Sequence, residues 1–144
     1  MTGIPIQKMV PLGLRQEVRL LVVDDQLEHF EQLQEFAEMY HPEFRVECRL
    51  ASSACEAEDV ARSWKASVVL LDLHVVSSAL ELLQKLASQG AAVVATTDSR
   101  LPELVETVAH YGAVGYLPKS TNPEDLENLL SFVASVSTPF SPQQ

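Results

Sequence analysis

The stretch Ser67-Val-Val-Leu-Leu-Asp-Leu-His74 decides how the rest of the chain is interpreted. Its apolar run, residues 68–71, is rich in β-branched side chains, which is typical of a strand buried on both faces of a parallel sheet. Asp72 follows where that strand ends. In open α/β sheets ligands bind outside the carboxyl ends of the strands, so Asp72 is a candidate for chemistry. Its alternative role is to cap the following helix, and this stretch alone does not decide between the two.

Length and composition limit the class of protein. A chain of 144 residues with 47% hydrophobic content is long enough for one domain with a full core. Ten basic and twenty acidic residues give a net charge of −10, which disfavours direct binding of nucleic acid. Cys48 and Cys55 form no CxxC pair, and no apolar stretch approaches the ~20 residues of a membrane span. The sequence therefore predicts a soluble cytoplasmic protein with no membrane contact.

The pattern of an apolar strand followed by polar residues recurs along the chain. Between these strands, apolar residues recur at helical spacing, and the alternation has a period of about 25 residues, the rhythm of right-handed βαβ units. The predicted fold class is α/β, a doubly wound domain with five parallel strands and five helices. The polar residues at the strand ends are Asp24 and Asp25 after residues 19–23, Thr96, Thr97 and Asp98 after residues 91–95, and Lys119 after residues 114–117.

The helices are predicted from their apolar stripes and capping signals. The first helix is expected to bury Leu27 among other residues, and the fourth to bury Val105 between Leu101, Leu104 and Val108. Ser53 and Ser78 each precede a glutamate by three positions, the pattern of a capping box at the start of the second and third helices.

Parallel strands bring their carboxyl ends to one edge of the sheet, so distant polar residues meet there. Asp24, Asp25 and Asp72 would repel one another, and Mg²⁺ relieves such repulsion where protein oxygens are few and water has room. A carboxylate can also attack a phosphoryl group that a metal, a lysine and a hydroxyl stabilise. Each residue has a simpler role as a cap, a strand-end hydroxyl or a solvated charge, but their coincidence at four strand ends favours the chemical role.

Residues 19–136 resemble a response-regulator receiver domain, the phosphoacceptor module of bacterial two-component signalling. The resemblance implies a flavodoxin-like (βα)5 fold with strand order 2-1-3-4-5, and transfer of a phosphoryl group to Asp72 from a sensor histidine kinase. By the same resemblance the domain would be a phosphoacceptor and not an enzyme. It rests on Leu-Val-Val-Asp24-Asp25, Val-Val-Leu-Leu-Asp72, Val-Val-Ala-Thr96 and Gly112-Ala-Val-Gly-Tyr116-Leu-Pro-Lys119.

The same resemblance implies a role for each site residue. Thr96 and Lys119 would assist Asp72, and Thr96 with Tyr116 would form the switch. Mg²⁺ would be held by Asp24, Asp25, Asp72 and the backbone carbonyl of His74, whereas the His74 ring is expected to face solvent over the site. The rim of the site would consist of His74, Thr97 and Asp98.

The flanking segments and one loop refine this hypothesis. The stretch from Gly115 to Thr121 resembles receivers of the NarL/LuxR class, so residues 137–144 are interpreted as a linker toward a C-terminal helix-turn-helix domain and residues 1–18 as an N-terminal arm. A stand-alone receiver is the alternative. Residues 73–79 lack the Pro and Gly usual after the phosphoacceptor, which favours a second alternative, a pseudo-receiver that binds or dimerises without phosphorylation. A Mg²⁺-dependent phosphatase is discounted because His74 stands where an acid would be needed. The kinase and any homodimer are left open.

Overall fold

The computed structural model describes residues 16–40, 44–74, 78–97, 102–119 and 122–136. In these ranges, five strands and five helices alternate strictly. The strands form one parallel sheet in the order β2-β1-β3-β4-β5, which confirms the predicted fold class and topology. The elements are β1 (Gln16–Val23), α1 (Leu27–Tyr40), β2 (Phe44–Ala51), α2 (Ala54–Trp64), β3 (Val68–Asp72), α3 (Ala79–Ser88), β4 (Ala92–Thr97), α4 (Pro102–His110), β5 (Gly115–Pro118) and α5 (Pro123–Val136).

The first strand begins earlier than predicted. β1 starts at Gln16 and pairs with β2 along its whole length, so residues 16–18 belong to the sheet rather than to an N-terminal arm. Val18 explains the extension, because its side chain is fully buried and it lies opposite Val46 of β2. The rest of the predicted arm, residues 1–15, and the predicted linker, residues 137–144, lie outside the described residues.

Alternate side chains of the strands build a hydrophobic core on each face of the sheet. Leu70 of β3 packs with α1 and α5, whereas its neighbours Val69 and Leu71 pack with α2, α3 and α4. All five residues of β3 are buried, as predicted for a strand covered on both faces. The two helical layers therefore leave the ends of the strands as the place where polar side chains can meet.

Three details of the helices differ from the predictions. Leu27 is 57% exposed and Val105 is 45% exposed, because each lies at the margin of an apolar stripe whose centre faces the core. The Ser53 hydroxyl accepts a hydrogen bond from the Glu56 N–H at 3.2 Å, which is one of the two bonds of a capping box, whereas Glu56 Oε1 accepts from the Ser52 N–H at 2.9 Å. Ser78 makes no such bond, since its φ of −113° and ψ of 46° are not the extended conformation that a capping side chain needs. Leu101 lies outside the described residues.

The longest described helices, α1 and α5, have 14 residues each. No described helix is long and apolar enough to cross a membrane.

Candidate functional site

Four elements bring polar side chains to the carboxyl edge of the sheet. Asp24 directly follows β1, Asp72 ends β3, Thr96 lies near the end of β4, and Lys119 directly follows β5. Asp72 lies opposite Thr96 in the β3–β4 pairing, so the two residues stand side by side at this edge. All but Lys119 are almost completely buried, and the Lys119 side chain is only 15% exposed. We call Asp24, Asp72, Thr96 and Lys119 the carboxyl-edge site.

Lys119 joins the two buried carboxylates of this site. Its Nζ donates hydrogen bonds to Asp72 Oδ2 at 2.6 Å and to Asp24 Oδ1 at 3.1 Å. Burial alone would lower the pKa of Lys119, but the hydrogen bonds and negative charges of Asp72 and Asp24 outweigh it and raise that pKa. Lys119 therefore stays charged and partly neutralises two carboxylates that would otherwise repel each other.

Asp24 is held by three donors. Its Oδ1 accepts from the Gln26 N–H at 2.9 Å as well as from Lys119, and its Oδ2 lies 3.1 Å from His29 Nδ1. An ionised carboxylate can only accept, so Nδ1 carries the proton in this contact. Burial raises the pKa of Asp24, but the bonds from His29, Gln26 and Lys119 prevail and lower it below the ordinary value.

His29 is a site residue that the sequence reasoning missed. It lies in the first turn of α1, and it is only 8% exposed. The signal was available, because a helix that starts at Leu27 directs an early residue back toward the preceding Asp24.

His74 anchors the start of the loop after Asp72. Its backbone N–H donates to Asp72 Oδ1 at 2.9 Å, and its Nε2 lies 2.7 Å from the hydroxyl oxygen of Thr97. The side chain is exposed, as expected, but it is also tied to the end of β4. Residues 75–77 and Asp98, the remaining part of the predicted rim, lie outside the described residues.

Thr96 and Tyr116, the predicted switch pair, lie on opposite faces of the sheet. Thr96 is opposite Leu117, and both line the α1–α5 side. Tyr116 is opposite Ala95 and packs on the side of α2, α3 and α4, where it is half-buried. Strand alternation thus puts Thr97, rather than Thr96, on the face of Tyr116. The Thr96 hydroxyl, in a residue only 5% exposed, has no hydrogen-bond partner among the described residues.

The carboxyl-edge site has the donor chemistry that suits Mg²⁺. Asp24 and Asp72 supply two carboxylates against one ammonium, which leaves an excess of negative charge among hard oxygen ligands. Asp25 is exposed, and the described residues contain no group of three or more His, Cys, Asp or Glu side chains placed to hold a metal. Two carboxylates nevertheless suffice for Mg²⁺, which keeps several of its water ligands in proteins.

Comparison with known proteins identifies the family. The family model described as the response regulator receiver domain matches residues 20–131. The chain therefore belongs to the receiver-domain family of two-component response regulators, which are signalling domains. A search of curated proteins finds no match.

Solved structures share the fold at low sequence identity. A response regulator from Thermotoga maritima is 22% identical with a TM-score of 0.71, and the match covers 84% of this chain and 98% of that one. A LuxR-family two-component response regulator from Aurantimonas sp. SI85-9A1 is 22% identical with a TM-score of 0.70, covering 89% and 92%. NtrX from Brucella abortus, solved in complex with ADP, is 20% identical with a TM-score of 0.70; the match covers 85% of this chain but only 27% of NtrX.

Proposed function

We propose that this receiver domain is a phosphorylation switch in which Asp72 accepts a phosphoryl group from a phosphohistidine of a sensor histidine kinase. The observation that carries the proposal is the pair of hydrogen bonds from Lys119 Nζ to Asp24 and Asp72. A buried lysine between two carboxylates is an arrangement that the fold alone does not require. The arrangement places a nucleophilic oxygen of Asp72 and the positive charge of Lys119 at one point of the sheet edge.

The transfer needs only groups that this edge contains, apart from the metal and the donor. A carboxylate oxygen of Asp72 attacks phosphorus, the new P–O bond forms, and the P–N bond to the kinase imidazole breaks with its electron pair returning to that ring. Lys119 can stabilise negative charge first on the carboxylate and then on the phosphoryl oxygens. The Thr96 hydroxyl, which bonds to none of the described residues, can donate to one of those oxygens. Bound Mg²⁺, with Asp24 and Asp72 as ligands and Asp25 and the His74 carbonyl as further candidates, would neutralise charge on the phosphoryl oxygens.

The output is proposed to be transcriptional. The stretch from Gly115 to Thr121 resembles the NarL/LuxR class, and one similar structure is described as LuxR family. DNA binding would then reside in a separate C-terminal domain, because the net charge of −10 repels the phosphate backbone of DNA. Cys48 and Cys55 are both unpaired thiols, which suits a reducing cytoplasm.

Incubation with a small phosphodonor and Mg²⁺, followed by intact mass measurement, tests the proposal. One phosphoryl group is expected on the parent and none on Asp72→Asn, and chelation of the metal should prevent labelling. Asp59→Asn is the matched control, since Asp59 is an exposed acid of α2 that pairs with Arg62. A parent protein that stays unlabelled would support a pseudo-receiver instead, and a labelled Asp72→Asn would place the acceptor elsewhere.

A further inference from the structure

A cavity of about 190 Å³ lies beside the carboxyl-edge site, on the face of the sheet covered by α1 and α5. Its apolar wall includes Leu70 of β3 and Leu126 and Leu129 of α5, all of which are buried. Thr96 and Lys119 line it as well, so this space and the carboxyl-edge site share two side chains. Phosphoryl transfer to Asp72 gives no reason for an apolar cavity at this place.

The volume sets the size of a ligand. An apolar cavity of about 150 Å³ is enough to hold benzene, whereas pockets that bind drug-sized molecules have volumes of at least about 300 Å³. The cavity therefore suits a molecule with one ring or a short aliphatic chain. Leucine side chains on several sides favour an apolar body for that molecule.

The polar residues around the cavity set its charge. Asp125 and Asn128, from the first turns of α5, line it together with the Thr96 hydroxyl, which is buried and has no partner among the described residues. Lys119 and His29 also line the cavity, and both are already bonded, Lys119 to Asp24 and Asp72 and His29 to Asp24. Counting Asp125, three carboxylates outnumber the one ammonium and the one imidazole of this region, so the electrostatic potential disfavours an anion.

We propose that this cavity is a binding site for a small apolar monocation, a primary amine carried on one ring or a short chain. The apolar body would lie against Leu70, Leu126 and Leu129. An ammonium group offers three N–H donors. The acceptors that line the cavity, the carboxylate of Asp125, the side-chain carbonyl of Asn128 and the hydroxyl of Thr96, match such donors.

A ligand in this cavity would oppose phosphorylation. It would contact Thr96 and Lys119, the two residues that also serve the phosphoryl group in the proposed function. Because coupling between two ligands is reciprocal, the amine would slow labelling of Asp72, and phosphorylation would weaken binding of the amine. The antagonism rests on the proposed function, whereas the binding site does not.

Binding is tested on the unphosphorylated protein with benzylamine as the probe. Methyl resonances of Leu70, Leu126 and Leu129 should shift saturably with benzylamine. Benzoate should bind much more weakly than benzylamine. Asp125→Asn should lower the affinity for benzylamine about three- to five-fold, which is the contribution expected of a solvent-exposed ion pair. Glu124→Gln is the matched control, because this exposed neighbour in α5 does not line the cavity.

Several results would overturn the site. These are the absence of saturable shifts at the three leucines, equal affinity for benzoate, or an equal effect of Glu124→Gln and Asp125→Asn. Loss of binding in Asp24→Asn with retention in Asp125→Asn would mean that the amine occupies the carboxyl-edge site instead. Slower labelling of Asp72 with benzylamine supports the antagonism, and an unchanged rate at saturation contradicts it. Failure to label without the amine would contradict the proposed function and leave the binding result standing.

Discussion

At the scale of single residues, the position of Asp24 depends on three donors, two near the start of α1 and one after β5. The Gln26 N–H and Lys119 Nζ share one carboxylate oxygen, and among the described residues His29 Nδ1 is the one donor to the other. Asp24 is only 2% exposed, so water cannot readily replace a lost donor. His29 is therefore a positioning residue for this carboxylate.

Replacing His29→Leu should destabilise the protein. The substitution fills the space but leaves Asp24 Oδ2 buried without a donor, which costs about 1–3 kcal/mol in free energy of unfolding. Chemical denaturation at neutral pH measures the change. His110→Leu is the control, because His110 is an exposed residue at the end of α4. Equal stability of the His29→Leu variant and the parent would show that the bond to Asp24 contributes little.

Lys119→Met should destabilise the protein by about 2–3 kcal/mol at neutral pH. The variant leaves Asp24 and Asp72 buried without their ammonium. The loss is somewhat below the about 3–5 kcal/mol typical of breaking a fully buried ion pair, because the Lys119 side chain keeps 15% exposure. Lys85→Met, at an exposed lysine of α3, is the matched control. Denaturation of the parent and both variants across pH measures the effect.

The pH dependence of that difference follows from the pKa shifts. Asp24 has its pKa lowered from 3.8, so its contribution is complete above about pH 4 and is lost as pH falls through the folded-state pKa. Lys119 has its pKa raised from 10.5, so its contribution is complete below that value and is lost as pH rises through the folded-state pKa. The parent and Lys119→Met should converge in acid. A constant gap from neutral pH down to the acid limit would contradict the assigned ion pairs.

At the scale of elements, the strands were more predictable than the helices. A strand buried on both faces, such as β3, is a continuous apolar run, and the polar residue that ends it can be read directly. Periodicity does not resolve the margins of a helical stripe, so it predicts Leu27 and Val105 as core residues although both are exposed. The capping pattern at Ser78 failed because residue identity does not fix the backbone angles that a cap requires.

A side-chain hydrogen bond between His74 and Thr97 ties the residues after Asp72 to β4. Thr97→Val would remove the hydroxyl that bonds to His74 Nε2 while preserving the shape of a buried side chain. Loss of one neutral hydrogen bond should speed amide exchange at Leu73 and His74 about five-fold. Hydrogen exchange measured by NMR on the parent and the variant gives this ratio.

Thr96→Val is the matched control for the loop. It removes the neighbouring hydroxyl, which has no partner among the described residues, so exchange at Leu73 and His74 should match the parent. If both valine variants speed exchange equally, the bond from Thr97 does not restrain the loop. The sequence alone does not show which face of the sheet each threonine occupies, because that depends on the register between β4 and β5.

At the scale of the whole molecule, the site follows from topology. Parallel strands in the order β2-β1-β3-β4-β5 place β1 next to β3, so Asp24 and Asp72 meet at the sheet edge. Lys119 reaches both from the end of β5, although it is 47 residues from Asp72 and 95 from Asp24 in sequence. This convergence could be predicted from the alternation of strands and helices. The hydrogen-bond partners of each carboxylate oxygen could not be predicted, because they depend on side-chain rotamers at the sheet edge. The bond from His29 to Asp24 is an example.

The excess of acid over the whole chain and at the carboxyl edge predicts how Mg²⁺ acts on stability. Ligand that binds only the folded state raises the free energy of unfolding, by about 1.4 kcal/mol at ten times the dissociation constant. Thermal unfolding of the parent should therefore shift upward with Mg²⁺ at fixed ionic strength, and removal of the metal by a chelator should reverse the shift. Asp24→Asn should lose most of the effect, whereas Asp59→Asn on α2 should keep it, since only Asp24 belongs to the site. Stabilisation of equal size in both variants would mean that Mg²⁺ acts by general screening of the net charge of −10.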